Sequence, residues 1–453
     1  MIPLRLGEIA RMCGAEAPEF GADAEVYGIS KDTRTLRAGE LYLALRGENF
    51  DGNQFVAEAA LRGAAGAIAE NPEVVGKLAE KFPVIWVGDC LTALNRLAAS
   101  YRERLALRVV GITGSNGKTS TKELTAAVLS SVFRVTKTEG SLNNHIGVPL
   151  SILEAEEADE MAVWEVGMNH PGEIEPLAGL IRPDIGIVTN IGVAHIENLG
   201  SREAIAREKA ALLEALSADG LAIIPDQDDY ADYLASRTVA RVERVGGEGS
   251  NLRAESVVVT LEGVRFQLIS EGNKMEAFVP ALGRHMVNNA LLAVAAGLAS
   301  GVSLSECVEG LARARLVSGR MTRRELRGVI FLDDTYNANP DSMVAALRTL
   351  GEISAGGRKW ALLGEMGELG EYAHEGYCRV GRQAAECVDG LIVVGSEASE
   401  MAEVARRSGL ADVWVVGSPE EAAEALRGFV GCGDYVLVKG SRSAGMERVL
   451  QAF

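Results

Sequence analysis

The sequence predicts an α/β protein of three domains, and three observations carry that prediction. Its 453 residues correspond to roughly three domains at about 150 residues each. Between residues 108 and 318, short apolar runs alternate with helical stretches, the pattern of a mostly parallel sheet covered on both faces. A second series of the same kind begins near Gly319. Hydrophobic residues make up 47% of the chain and charged residues 24%, which suits packed cores and excludes wholesale disorder.

The first domain runs over residues 1–83. It holds LYLALRG (41–47), a strand reading, then a turn at Asp51-Gly52-Asn53 and a helical run over 54–63. A second Ala-rich stretch leads to the strand PVIWVG (83–88). In residues 91–105, Leu91, Leu94, Leu97, Ala98 and Tyr101 recur at helical spacing. This helix lies in a connecting segment (84–107) that opens the second domain, 84–317. There RVVGIT (108–113), MAVWEVG (161–167), DIGIVTNIG (184–192) and LAIIP (221–225) read as buried strands, with helices over 118–129 and 201–216 between them. Residues 256–279 are β-rich and break at Leu261-Glu262-Gly263 and Glu271-Gly272-Asn273, which predicts antiparallel hairpins on the sheet edge. A helix over 288–299 follows. The third domain, 318–453, offers GVIFLDD (328–334), KWALLGE (359–365), GLIVVGS (390–396), DVWVVGS (412–418) and DYVLVKGS (434–441) as strands of a second doubly wound sheet.

The formal net charge of −18 argues against nucleic acid as a partner, because such binding needs a basic footprint. A local basic site for one small anion remains compatible with it. The first fifteen residues carry Arg5, Glu8 and Arg11 inside their apolar pattern and lack the apolar stretch of a signal peptide. No apolar run is long enough to span a bilayer. The six cysteines are scattered without a CxxC pair, so a disulfide framework or structural zinc is not expected and a reducing cytoplasm is.

The strongest local signal is RVVGITGSNGKTSTKEL (108–124): a buried strand, a Gly-rich loop and a helix start. Backbone N–H groups of Gly114, Ser115, Asn116, Gly117, Lys118, Thr119 and Ser120 can cradle phosphate oxygens. Lys118 can reach terminal phosphates, and the Thr119 hydroxyl can hold Mg²⁺. Ile112 occupies the first glycine position of the strict motif, so the loop is a compact variant. No G-x-G-x-x-G follows this strand, which leaves a nicotinamide reading little support.

Polar residues follow the neighbouring strands: Glu165 closes MAVWEVG and His195 follows DIGIVTNIGVAH. Ligands of open α/β sheets bind outside the carboxyl ends of the strands, so Thr119, Glu165 and His195 are candidates for one magnesium site. Taken singly, His195 also reads as a packed histidine, and Glu165 as a helix cap. Lys209, inside SREAIAREKAALLEAL (201–216), reads by itself as an exposed-face lysine.

TGSNGKTSTKE (113–123), SLNNHIGVPLSIL (141–153), EVGMNHPGEIEPL (165–177), TNIGVAHIENLGSREAIAREKAAL (189–212), LGRHMVNNALLA (282–293), GRMTRRE (319–325), DDTYNANPDSM (333–343), LGEMGELGEYAHEGY (363–377) and VLVKGSR (436–442) together resemble the Mur ligases of peptidoglycan synthesis. KDTRTLRAGELYLALRGENFDGNQF (31–55) resembles their N-terminal domain. The resemblance spans nearly the whole chain, in family order. It implies a small N-terminal α/β UDP-sugar domain, a central P-loop ATPase domain and a C-terminal Rossmann-like domain. DDTYNANPDSM and GEMGELGEYAHEGY point to the branch that joins D-Ala-D-Ala to UDP-MurNAc-tripeptide, through an acyl phosphate made with ATP and Mg²⁺. A monomer is implied as well.

The same resemblance assigns roles by position. Arg320 reaches the γ-phosphate from the third domain. Lys209 becomes a carbamate that serves a second magnesium with His195, while Thr119 and Glu165 serve the first. Asn288 and Asn289 match the adenine-contacting region, with a helix N-cap as the plain alternative, and Asp334 matches the aspartate that holds ribose hydroxyls. Asn337 and Asn339 match contacts to ATP or the dipeptide, and Asn143, Asn144 and His145 match the loop near the UDP-sugar. Asp32, Thr33, Arg34, Arg46 and Gly47 match the uridine and diphosphate pocket, where Lys31, Thr33 and Asn53 depart from the usual wording. Lys439, Ser441 and Arg442 match a site for the dipeptide carboxylate or the tripeptide. The rivals are another Mur-type or folylpolyglutamate-type amide ligase, and a P-loop protein that only senses nucleotide. DDTYNANPDSM argues against the first; the joint presence of Glu165, His195, Lys209 and Arg320 argues against the second.

Overall fold

The computed structural model describes the chain except for residues 48, 74–75, 77–80 and 354–355. It packs as two units. The first comprises Met1–Gly111, Phe133–Met168 and Glu173–Asp184; the second comprises Ile112–Val132, Asn169–Gly172 and Ile185–Phe453.

In the first unit, the strands Ile29–Ser30, Leu41–Leu43, Gly66–Ala69 and Val84–Trp86 form a parallel sheet in that order. The 41–47 strand ends early because the chain turns back on itself. Leu45 N–H donates to Leu43 O at 3.0 Å, and Gly52 N–H donates to Leu45 O at 2.9 Å. A Cβ at Gly52 would stand 2.5 Å from Leu45 O, so this return requires glycine. The connecting helix spans Cys90–Arg102 and begins at Asp89, whose carboxylate accepts from Thr92 N–H at 2.6 Å. Its buried Tyr101 hydroxyl donates to Ala155 O and accepts from Ile2 N–H, each at 2.6 Å. The strands Val135–Lys137 and Met161–Glu165 pair in parallel, and the second is buried on both faces.

In the second unit, Ile185–Val188, Leu221–Pro225 and Arg241–Val245 pair in parallel. The β-rich segment is antiparallel as expected, but it is not an edge extension of another sheet. Leu252–Val259, Val264–Ser270 and Asn273–Val279 form their own three-stranded sheet. Its second turn uses Glu271 (φ 48°) and Gly272 (φ 83°), the paired left-handed residues of a tight hairpin. The helix expected over 288–299 begins a turn earlier, as His285–Ala299. It packs with Lys118–Leu129 and Leu304–Arg313.

The C-terminal sheet has six strands in the order Thr322–Leu326, Val329–Asp334, Tyr435–Lys439, Lys359–Leu363, Gly390–Val394, Asp412–Val416. Only the first pair is antiparallel. Thr322–Leu326 escaped the sequence reading because Arg323, Arg324 and Glu325 give it no apolar run; it is an exposed edge strand. Alternate residues of the inner strands serve two cores. Leu332, Leu363, Leu391 and Leu437 face one, and Phe331, Trp360, Ile392 and Val436 face the other. Strand order reverses around Val329–Asp334, Tyr435–Lys439 and Lys359–Leu363, and their carboxyl ends carry Asp334, Lys439 and the 364–370 loop. Among the described residues, no helix is long and apolar enough to cross a membrane. All six cysteines are free.

Candidate active site

The loop between Thr113 and Lys118 is shaped by two glycines in conformations that side chains rarely adopt, Gly114 (φ 149°) and Gly117 (φ 80°). A Cβ at Gly114 would collide with Thr189 Oγ1. The loop is held from outside. Ser115 N–H donates to Asn190 O and Asn116 N–H to Asn190 Oδ1, both at 3.0 Å. Thr189 Oγ1 and Asn190 Nδ2 donate to Asn116 O at 2.5 and 2.9 Å. Lys118 Nζ folds over the loop to Gly114 O at 2.9 Å. Thr119 and Ser120 are buried at the first turn of the helix, where the macrodipole favours an anion.

Residues after Val329–Asp334 meet this loop. Asn116 and Asn339 exchange side-chain hydrogen bonds, at 2.8 Å in one direction and 3.4 Å in the other. Asn339 also caps the helix Pro340–Glu352: its Oδ1 accepts from Ser342 N–H at 3.0 Å, and Pro340 opens the helix. Asp341 Oδ2 accepts from Val193 N–H at 3.1 Å, and its Oδ1 accepts from Arg379 at 2.6 Å. Asp334 pairs with buried Lys439 at 2.6 Å and accepts from Met321 N–H at 3.2 Å. Lys439 also donates to Asn337 O at 2.8 Å, while Asn337 Oδ1 accepts from Ala338 N–H. The Arg320 guanidinium lies 4.2 Å from the Tyr336 ring centroid. Its Nε is buried and has no acceptor among the described residues. Ser441 Oγ shares a hydrogen bond with Ser443 Oγ, and Arg442 is exposed beside Glu447. Asn289 is buried with its amide against Gly117, whereas Asn288 is exposed. Neither caps its helix, because the N-cap position belongs to Arg284.

His195 takes a left-handed backbone (φ 63°) and donates from Nδ1 to Glu368 at 2.5 Å. This contact holds the Glu368 carboxyl below the usual carboxylate range. Lys209 is not the exposed lysine that helical position alone suggests. It is 1% exposed, and burial, reinforced by the nearby charge of Lys118, pushes its amine well below the ordinary lysine value. Glu208 acts weakly the other way.

The remaining candidates lie in the first unit. Glu165, also 1% exposed, is held by Asn143 Nδ2 at 2.6 Å, and its N–H donates to Thr138 Oγ1 at 3.0 Å. Asn144 accepts from Gly147 N–H at 2.9 Å, and His145 is exposed. Asp32 and Arg34 form a two-point ion pair at 2.6 and 2.9 Å that holds the half-buried Asp32 carboxyl down at about 2; Thr33 between them is buried. Arg46 pairs with Asp51 at 3.3 Å and Glu70 at 3.6 Å, and Gly47 lies against the Phe50 ring. Asn53 is a buried tie: it donates to Asp51 at 2.7 Å and accepts from Glu70 and Asn71 N–H at 3.1 Å.

Sequence reasoning missed Thr189, Asn190, Asp341 and Glu368. The first two lie in TNIG directly after a strand, which is a usable signal. Asp341 and Glu368 lie within matched motifs but act through tertiary contact alone. A further cluster, His374, Cys378 and Glu400, is accounted for by a surface hydrogen bond of 2.5 Å between His374 Nδ1 and Glu400.

Three family models cover most of the chain: "Mur ligase family, catalytic domain" over 25–102, "Mur ligase middle domain" over 112–297 and "Mur ligase, glutamate ligase domain" over 319–442. The UDP-N-acetylmuramoyl-tripeptide–D-alanyl-D-alanine ligase of Bacillus subtilis is 35% identical, over 94% of this chain and 93% of its own. Its namesake from Escherichia coli is 34% identical over 100% and 98%. The crystal structure of MurF from Acinetobacter baumannii superposes with a TM-score of 0.89 at 32% identity, covering 99% of this chain and 98% of that one. MurF ligase from Thermotoga maritima, in complex with ADP, gives 0.82 at 28% identity, covering 94% and 97%. On sequence, fold and coverage, the chain belongs to the Mur ligase family.

Proposed function

We propose that the chain is the ATP-dependent ligase that joins D-Ala-D-Ala to UDP-MurNAc-tripeptide, giving the pentapeptide precursor of peptidoglycan. The full-length relatives of that name support the reading. The observation that carries it is the Asn116–Asn339 exchange, which brings the third domain's DDTYNANPDSM segment onto the phosphate loop.

A carboxylate resists attack by an amine, and phosphorylation turns one of its oxygens into a leaving group. Two anions must first approach, so the site needs concentrated positive charge. Lys118 and Arg320 supply it, and the buried Nε of Arg320, without an acceptor among the described residues, suits a phosphate oxygen. Asn289, beside Gly117, would meet the base, and Asp334, which accepts from Met321 N–H, would take the ribose hydroxyls. Asn337, Lys439, Ser441 and Arg442 surround the end of the last strand, where the dipeptide or the tripeptide carboxylate is bound. Asp32, Thr33, Arg34, Arg46 and Gly47 hold the UDP moiety, with Asn143, Asn144 and His145 near its peptide.

By residue chemistry alone, the Thr119 hydroxyl and the Glu165 carboxylate suit magnesium as hard oxygen ligands, and His195 is the nitrogen donor that the family resemblance adds. Lys209 fits only after carbamylation, and its suppressed basicity supplies the neutral amine that traps CO₂. When bound, Mg²⁺ neutralises phosphate charge. Asn143 orients Glu165, and the helix Arg202–Glu214 carries Lys209 on its buried face.

The domain limits 1–83, 84–317 and 318–453 follow from this reading, as do a cytoplasmic site of action and a monomeric enzyme. Phosphate release with ATP and Mg²⁺, omitting each substrate in turn, tests it. Release that needs both UDP-MurNAc-tripeptide and D-Ala-D-Ala, with a pentapeptide product, is expected. Release independent of D-Ala-D-Ala overturns the assignment in favour of another Mur-type ligase.

A further inference from the structure

The loop that leaves Lys359–Leu363 makes a double contact with the turn that carries His195. Glu368 Oε2 accepts from His195 Nδ1 at 2.5 Å, and Glu368 O accepts from Glu197 N–H at 3.1 Å. Both partners are non-glycine residues in the left-handed region, at φ 59° and 63°. Such conformations persist where surrounding structure over-determines them. Here Leu369 is buried in the C-terminal core, and a Cβ at Gly370 would stand 3.1 Å from Glu197 Cγ. The His195 segment is tied to the phosphate loop in turn: Gly192 N–H donates to Ser115 Oγ at 2.9 Å, and Thr189 and Asn190 grip Asn116.

We infer that Glu368 is a positioning residue that sets the imidazole tautomer of His195. A carboxylate only accepts, so Nδ1 must carry a proton, and in the neutral imidazole Nε2 then keeps its lone pair for the site. A glutamate of the third domain therefore completes a histidine of the second, and the histidine is correctly prepared only when the 364–370 loop is docked. The role of His195 rests on the ligase reading; the tautomer does not.

The test uses full-length protein with ¹⁵N-labelled histidine, free of nucleotide and metal, with the His195 signal assigned from His195→Asn. The expected wild-type signal shows Nε2 unprotonated. Glu368→Gln, whose carbonyl still accepts, retains that pattern, and Glu368→Ala moves the proton to Nε2. In steady-state assays, Glu368→Ala lowers kcat by about 10–100-fold, with KM for each substrate within about 3-fold, and Glu368→Gln recovers most of the loss. An unchanged His195 signal in Glu368→Ala overturns the inference, as does a kcat within about 3-fold of wild type, or Gln as damaging as Ala. Should Glu368→Ala fail to fold by circular dichroism, Glu368→Met, which keeps the chain length and cannot accept, takes its place with the same criteria. A wild type without ligase activity refutes the functional reading while the tautomer measurement still decides the contact.

Discussion

Replacing Lys209 by Met separates what this lysine does for function from what it costs the fold. The side chain is 1% exposed, its amine is held well below the ordinary lysine value by burial, and Lys118 adds to that effect. Below the depressed folded-state value the amine is protonated in both states, and the cost of burying it is fully present. As pH rises from there toward 10.5, the unfolded chain binds more protons than the folded one, so stability climbs with pH. Met has a similar straight chain and removes the buried polar group, whose desolvation costs about 1–3 kcal/mol. At roughly 1 °C per kcal/mol for a chain of 453 residues, Lys209→Met should melt about 1–3 °C above wild type at pH 7 in CO₂-free buffer. The gap should narrow as pH approaches 10.5. Adding bicarbonate with Mg²⁺ should raise the wild-type midpoint and leave the variant unmoved, and the variant should lack ligase activity. The assay is thermal unfolding of both proteins side by side across pH 7–10.5. A variant that melts at or below wild type at pH 7, or a gap independent of pH, refutes the reasoning.

Four further outcomes follow from the site geometry. Gly114→Ala forces a Cβ onto Thr189 Oγ1 at φ 149°; it should abolish nucleotide binding measured by calorimetry. Asn339→Ala removes both a helix cap and the Asn116 contact, and should lower stability by about 1 kcal/mol in denaturant titrations while raising KM for ATP. Asn339→Asp keeps the cap and should restore stability only. Lys439→Met leaves the part-buried Asp334 without its 2.6 Å partner and should cost up to about 3 kcal/mol, read as a shift in the unfolding midpoint. Arg320→Lys loses the planar stack on Tyr336 and should reduce kcat about 100-fold or more in phosphate-release assays, with UDP-peptide binding preserved.

What the sequence determined by itself was set by local rules. Short apolar runs and Gly-rich turns delimit the parallel strands; Arg108–Thr113, Lys118–Leu129 and Leu221–Pro225 appear in the structure with the same bounds. A strand, two glycines and a lysine in order are enough to mark a phosphate loop, because backbone amides and a helix start make the site. Tertiary structure decided the rest. Thr322–Leu326 is a strand although its sequence is charged, since an edge needs a pairing partner rather than an apolar run. The 252–279 meander stands as its own sheet, a matter of which neighbour its strands pair with. Lys209 shows the difference most plainly. Lys209 shares its helix's buried stripe with Ile205, Ala206, Leu212 and Leu213, and the packing over that stripe turns an ordinary lysine into a buried amine of low basicity. Glu368 and His195 are 173 positions apart, and Asn116 and Asn339 223. No periodicity in a chain encodes such meetings, because they depend on which loops of distant sequence the tertiary fold brings together.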